Sequence, residues 1–292
     1  MEKITIEASD GLKLSCLYSK ASKPKGIVQI VHGMLEHKER YIPLIEKLNS
    51  IGLIVIISDL RGHGESINDE YPLGFTGTPD ELVDDQVLIS KYVKKHNPHQ
   101  PLYMFAHSMG SLIARRYLEQ NDHEITKLIL CGTVGRVNGV GLGVFIAGLK
   151  CIGSGNYKSS KLLYRFSNNM SAEHDISWIS YNEKNLEAYK NDPLCNISFR
   201  NESYKALYKM VANLSKKKRY ECKNPALKIL SISGEDDRTT LGTEGVKHSM
   251  LYLMRAGYSE MQFIEYPHMK HEILNEENPE QVYQDILAFF GE

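Results

Sequence analysis

"PLYMFAHSMGS", residues 101–111, sets Ser108 directly after an apolar run and before a stretch patterned as a helix, "MGSLIARRYLEQN". That junction decides the fold. A nucleophilic serine needs such a tight strand-to-helix turn, which lifts its hydroxyl above the edge of a parallel sheet in a strained backbone conformation. The helix start behind it offers free N–H groups and a partial positive charge, which suits an oxyanion. The stretch misses G-x-S-x-G at one place, Ala106, which adds a single methyl where glycine is expected. The plainer reading of Ser108 is a helix N-cap, a common use of serine. Its surroundings choose between the two.

Outward from this turn runs a β/α rhythm. "KITIEAS", the turn Asp10-Gly11 and "LKLSCLY" alternate as a hairpin. "GIVQIVH", "LIVIISD", "PLYMFAH" and "ITKLILCG" are buried strands separated by helical patterns, including the long "PDELVDDQVLISKYVKKHN" stopped before Pro98. The rhythm breaks from about 135 to 223, a helical and irregular stretch rich in Tyr, Asn, Ser and Lys. It resumes with "ALKILSISG", a helix, "MQFIEYP" and a closing helix. Strands flanked by helices predict an α/β fold with a mostly parallel sheet covered on both faces. The expected organisation is a core of residues 1–134 and 224–292, with 135–223 inserted over the C-terminal edge of the sheet, where such folds bind ligands.

The strand ends carry the chemistry. On this architecture the partners of a serine follow it in the order acid, then histidine. Glu235, Asp236 and Asp237 come directly after the strand ending at Gly234, and His268 and His271 after the last strand. Spacing leaves the acid open. His271 stands further from its strand than His268 and has more freedom to reach across, while His268 fits a structural loop residue. Acyl transfer also needs two N–H donors for the oxyanion. Met109, next to the serine, supplies one, and Met34 in "HGMLEHKERY" is placed to supply the other, with Gly33 making the turn.

"SDLRGHGES", residues 58–66, holds Asp59 at a strand end, but it precedes Ser108, the wrong order for the acid. Asp59, Arg61 and His63 are expected to form a hydrogen-bonded turn. A metal site from His32, His37, His63 and Asp59 lacks any helical H-x-x-x-H spacing to support it.

A formal charge of −1 gives no electrostatic reason for nucleic acid as a partner, and the KKKR run at 216–219 reads as solvated surface. Five scattered cysteines without a C-x-x-C pair fit reduced thiols and a cytoplasmic setting. The beginning, "MEKITIEASDG", has no apolar signal core. "GVGLGVFIAGL", residues 139–149, is too short to span a bilayer. It reads first as a helix burying itself against the core, and second as an acyl-binding wall or a peripheral membrane contact.

These loops together resemble the α/β-hydrolase superfamily, and within it the monoacylglycerol lipase and bacterial lysophospholipase group of serine aminopeptidase-like hydrolases. The stretches that match are His32-Gly33-Met34-Leu35-Glu36-His37 with Arg40-Tyr41, and Asp59-Leu60-Arg61-Gly62-His63-Gly64-Glu65-Ser66. They continue with His107-Ser108-Met109-Gly110, Gly234-Glu235-Asp236-Asp237 and His271-Glu272. The resemblance spans the two core segments and fades across 135–223, the variable cap of these enzymes. It implies an eight-stranded α/β-hydrolase sheet with a helical cap. It also implies Ser108 as nucleophile, Asp237 rather than Asp236 as acid, His271 as base and the backbones of Met34 and Met109 as oxyanion hole. No cofactor or metal is implied. Arg238 departs from the proline that many bacterial relatives carry after the acid. The implied substrate is a carboxylic ester, foremost a monoacyl lipid such as a lysophospholipid or monoacylglycerol, with substrate-binding residues expected in 135–223. The rival readings are an esterase, thioesterase, peptidase or acyltransferase of the same fold acting on other compounds, and a silent binding protein on that scaffold.

Overall fold

Four strands in the middle of the chain are buried along their whole length: β3 (Gly26–Val31), β4 (Leu53–Ser58), β5 (Leu102–His107) and β6 (Lys127–Cys131). Such runs cannot lie at a solvated sheet face and must be covered on both sides. In the computed structural model, which describes residues 1–135, 137, 139–167, 175–195 and 197–291, they form the centre of one eight-stranded sheet. β1 (Glu2–Glu7) and β2 (Lys13–Ser19) make the antiparallel hairpin at one edge. β7 (Lys228–Gly234) and β8 (Met261–Tyr266) close the other edge in parallel, giving the order β1-β2-β4-β3-β5-β6-β7-β8. Register along the centre is regular, with Val28 opposite both Val55 and Tyr103.

Alternation along each strand feeds two cores. Ile27 and Val31 face one side with Ile54, Ile56, Met104 and Ala106. Val28 and Ile30 face the other with Val55, Ile57 and Phe105. Helices α2 (Pro79–His96), α3 (Met109–Asn121) and α8 (Gly242–Ala256) cover the first through residues such as Ile89, Ile113 and Leu253. Helices α1 (Ile42–Ser50) and α9 (Glu280–Gly291) cover the second with Leu44, Leu48, Ile286 and Phe290. Each such aliphatic side chain contributes roughly 1.5–3 kcal/mol on burial, so both layers are needed to hold the sheet. The one polar residue within β3, Gln29, is satisfied by α2: it donates to the Gln86 carbonyl at 3.0 Å and accepts from Ser90 Oγ at 2.7 Å. α2 starts at a Thr78–Glu81 capping box, which ties two backbone N–H groups that would otherwise lack partners.

Between β6 and β7 lie the helices α4 (Val140–Lys150), α5 (Lys161–Ser167), α6 (Glu183–Asn191) and α7 (Asn201–Asn213). The expectation that the apolar run at 139–149 mainly buries itself holds for one side of the helix only, where Val140, Val144, Ile146 and Ala147 pack against the core. α4 lies on α7 through its small residues Gly143 and Ala147, with Gly143 against the ring of Tyr208. This leaves Leu142, Phe145 and Leu149 more than half exposed, at 56%, 62% and 52%. A helix apolar all round has no preferred inward stripe, and close approach is open only where side chains are small. None of the described helices is long and apolar enough to cross a membrane.

Candidate active site

Ser108 stands between β5 and α3 with φ 52° and ψ −120°, a left-handed backbone that a residue with a Cβ adopts only under strain. The strain is held by the strand on one side, where Ser108 N–H donates to the Cys131 carbonyl at 2.9 Å, and by the start of α3 on the other. The two small-residue positions of the turn are not equivalent. A Cβ on Gly110 would lie 2.2 Å from the Val31 carbonyl oxygen and 2.5 Å from that of His32, so only glycine fits. Ala106 sits fully buried within β5, its methyl in the first core layer.

The structure brings the far ends of the sheet to this serine. The loop after β8 places His271 Nε2 2.7 Å from Ser108 Oγ. Asp237, after β7, accepts on Oδ2 from His271 Nδ1 at 2.9 Å. Serine, histidine and acid thus form one continuous hydrogen-bonded chain, written with the hydroxyl donating to Nε2 and the ring N–H donating to the carboxylate. Burial alone would raise the Asp237 carboxyl; the adjacent His271 ring and the Thr239 donors outweigh it and hold it below the usual range. The neighbouring acid goes elsewhere, since Asp236 Oδ2 accepts from the exposed Tyr181 hydroxyl at 3.0 Å. His268 is likewise outside this chain, its ring stacked 4.5 Å from that of Tyr181.

Behind the serine lies a buried cluster whose members the sequence left without roles. Glu36 Oε1 accepts from the Gly33 N–H, from the Tyr41 hydroxyl at 2.9 Å and from His107 Nδ1 at 2.9 Å. Arg40 forks onto both oxygens of Glu272 at 2.7 Å and reaches Glu36 at 3.3 Å. Asn185 of α6 donates to Glu272 at 2.8 Å. The two carboxylates are thus met by the Arg40 guanidinium and the His107 ring, with few of their polar groups left to water, the condition under which buried charges are tolerated. Burial would raise the Glu36 carboxyl, but His107 and then Arg40 hold it well below the usual carboxylate range. Burial would lower the His107 imidazole, and Glu36 overrides it, raising it above the ordinary value. The cluster joins the loop of Met34, the residue before Ser108 and the residue after His271. Its signal in the sequence was the spacing Glu36-x-x-x-Arg40 with Glu272 beside the histidine.

Asp59, Arg61 and His63 form a turn as expected from their order. Asp59 accepts from the Lys38 N–H at 2.8 Å and from Lys38 Nζ at 2.6 Å, and Arg61 forks onto Asp85 at 2.7 Å. Burial takes His63 down to about 3, so it stays neutral. Of the four residues weighed as a metal set, His32 and His63 meet ring to ring with centroids 5.3 Å apart, but His32 Nε2 accepts from the Leu60 N–H at 2.8 Å and His37 pairs with Asp192 at 2.8 Å. Asp192 and Cys195 bring their ligand atoms within 4.8 Å of His37, the one such cluster among the described residues.

Above Ser108 opens a cavity of about 120 Å³, lined by Met34, Met109, Val140, Trp178, Leu207 and Tyr208 among others. Arg238 is the one charged side chain among its described lining residues. Val137 and Phe166, both partly in solvent, belong to the same lining, so the cavity opens beside the exposed face of α4.

Residues 22–278 match the family described as serine aminopeptidase, S33. The chain belongs to that family. Within it, the chain is 23% identical to the monoacylglycerol lipase of Mycolicibacterium smegmatis over 274 residues, covering 94% of this chain and 90% of the lipase. It is 26% identical to phospholipase YtpA of Bacillus subtilis over 274 residues, covering 92% and 96% of the two chains. Among solved structures, a thermostable carboxyl esterase from Bacillus coagulans superposes with a TM-score of 0.89 at 26% identity, covering 99% of this chain and 97% of the esterase. The fold is that of the α/β-hydrolases, and the relatives carry the names of lipases, phospholipases and esterases.

Proposed function

We propose that the protein is a serine hydrolase of carboxylic esters, most of all of monoacyl lipids, and that Ser108, His271 and Asp237 perform the reaction. The single observation that carries the reading is the continuous contact from Ser108 Oγ to His271 Nε2 at 2.7 Å and from His271 Nδ1 to Asp237 at 2.9 Å. His271 takes the Ser108 proton as Oγ attacks the ester carbonyl, and the imidazolium then gives it to the departing alcohol. Asp237 keeps the proton on Nδ1 and stabilises the charged ring. Backbone N–H groups of Met34 and Met109, both beside Ser108 in the cavity wall, receive the oxyanion; one such donor is worth about 3 kcal/mol of barrier. Water, activated by His271, releases the acyl group.

Residues 135–223 act in this proposal as the cap that selects substrate. The described cavity lining is apolar apart from the hydroxyl-bearing Ser108, Ser167, Tyr208 and Thr239 and the cation Arg238. It suits an acyl chain, and offers no anion to hold the α-ammonium of a peptide substrate. The α4 face extends the same surface outward. From Gly139 to Ser167 the sequence carries Lys150, Lys158, Lys161 and Arg165 and no acidic residue. Exposed apolar groups in a stretch whose charges are all cationic fit peripheral contact with an anionic lipid surface, from which a monoacyl lipid would enter.

A fluorophosphonate probe tests the enzyme claim. Wild type takes the label and Ser108→Ala does not; equal labelling of both, or none on wild type, overturns it. Turnover of p-nitrophenyl esters of increasing chain length, beside monoacylglycerol and lysophosphatidylcholine, tests the substrate. Preference for the shortest ester with no lipid hydrolysis removes the lipid reading and leaves the esterase.

A further inference from the structure

The Asp237 carboxylate is buried, yet both of its oxygens are engaged, each on a different partner. Oδ2 takes the His271 ring N–H at 2.9 Å. Oδ1 takes two donors from one residue, the Thr239 N–H at 2.8 Å and the Thr239 hydroxyl at 2.8 Å. The same hydroxyl oxygen lies 3.1 Å from His271 Nδ1, so Thr239 touches acid and base together. A carboxylate with one oxygen free rotates about its Cβ–Cγ bond; one held at both ends presents a fixed lone pair to the ring. The loop backbone is secured separately, by the Thr240 hydroxyl donating to the Asp237 carbonyl at 2.8 Å.

We infer that Thr239 is a positioning residue for the reaction, its hydroxyl adding to the Thr239 N–H on Oδ1 of Asp237 and bridging to His271 Nδ1, so that Oδ2 stays in line with the ring. The inference rests on the reading of Ser108, His271 and Asp237 given above. The hydroxyl exchanges no proton with substrate. It acts when His271 becomes imidazolium, because the carboxylate already lies where the new positive charge needs it and does not have to turn. A hydrogen bond to a charged group inside a protein is worth enough to matter on this scale.

The experiment compares Thr239→Val and Thr239→Ser with wild type on p-nitrophenyl butyrate, each rate divided by the number of sites a fluorophosphonate labels. That division removes any loss from misfolded protein. Thr239→Val is expected to lower kcat per labelled site about tenfold with KM within twofold of wild type. Thr239→Ser, which keeps the hydroxyl, is expected to recover most of that loss. A structural role alone would lower the count of labelled sites and leave kcat per site intact. Full kcat per site in Thr239→Val, or a Thr239→Ser no better than it, overturns the inference while leaving the hydrolase reading standing. A wild type without turnover or label overturns both.

Discussion

The strand-end loops and the segment between β6 and β7 solve opposite problems. In the loops, polar groups are buried and bonded to one another: Glu36, Arg40, His107 and Glu272 are at most intermediate in exposure and all engaged. In the segment, apolar groups stand outside, with Ile152 at 73% and Phe145 at 62% exposure. The first arrangement fixes atoms to within a hydrogen bond's tolerance, as chemistry requires. The second costs stability in water, and is retained where it meets something other than water. In the function proposed above, the comparison separates where the reaction would be set from where its substrate would be chosen.

The largest effect that tests the separation falls on the acid. Asp237→Asn is expected to lower kcat about 10⁴-fold, because the amide no longer holds the required tautomer of His271. Asp236→Asn, whose side chain meets only the exposed Tyr181 hydroxyl in the bonds described above, is expected to stay within a few-fold of wild type in the same assay. The opposite ranking would move the acid one residue back.

Next comes the balanced cluster. Glu36→Gln leaves the buried His107 and Arg40 short of a counter-charge and is expected to cost about 3 kcal/mol of stability, read by urea unfolding. The loop of Met34 loosens with it, and kcat/KM is expected to drop about a hundredfold. The same variant changes the pH dependence. Folded Glu36, Glu272 and Asp237 titrate below their unfolded values, so their stabilisation is complete above the ordinary carboxylate range. It is lost as pH falls below about 4.5 towards the folded values. His107 is raised, so its share is complete below its ordinary value near about 6.5 and is lost as pH rises through the folded one. Glu36→Gln is therefore expected to flatten both flanks of the stability–pH curve. Unchanged flanks would show that the pair carries no linked protons.

The smallest effect belongs to the other region. Phe145→Ser with Ile152→Ser is expected to leave turnover of a short ester in solution unchanged. Hydrolysis of monoacylglycerol carried in vesicles containing phosphatidylglycerol should fall about fivefold, since the two side chains withdrawn would have only part of their apolar surface covered at the lipid interface. Equal loss on both substrates would place the residues in folding rather than docking.

Legibility in the sequence divides along the same line. Strands such as "LIVIIS" and "LYMFAH" announce the sheet because a run buried on both faces has one place to go; their rhythm gave an α/β fold with a mostly parallel sheet, and the resemblance of the loops gave the eight-stranded α/β-hydrolase form of it. Ser108 was visible because strand and helix signals meet there. Which of Asp236 and Asp237 turns inward was legible only through the resemblance and not from spacing, since adjacent side chains on a tight loop are set by their backbone partners: Asp236 N–H on the Met269 carbonyl, Asp237 N–H on that of Gly234. Arg40 and Glu272 lie 232 positions apart, and nothing local in either stretch encodes their meeting. Thr239 was hidden behind the more conspicuous acids before it. The face of α4 was undecidable for a different reason. Its residues are apolar in every direction, so no period marks an inside, and the contact of Gly143 with Tyr208 chooses it.

The backbone of Ser108 has a consequence for durability. A left-handed serine costs of order 1–3 kcal/mol, which a residue without a Cβ does not incur. Ser108→Gly should therefore melt several degrees above both wild type and Ser108→Ala while turning over nothing. If Ser108 is the nucleophile proposed above, the wild-type protein is a slightly less durable object than its inert variant, and heat tolerance sought at position 108 would select against the reaction.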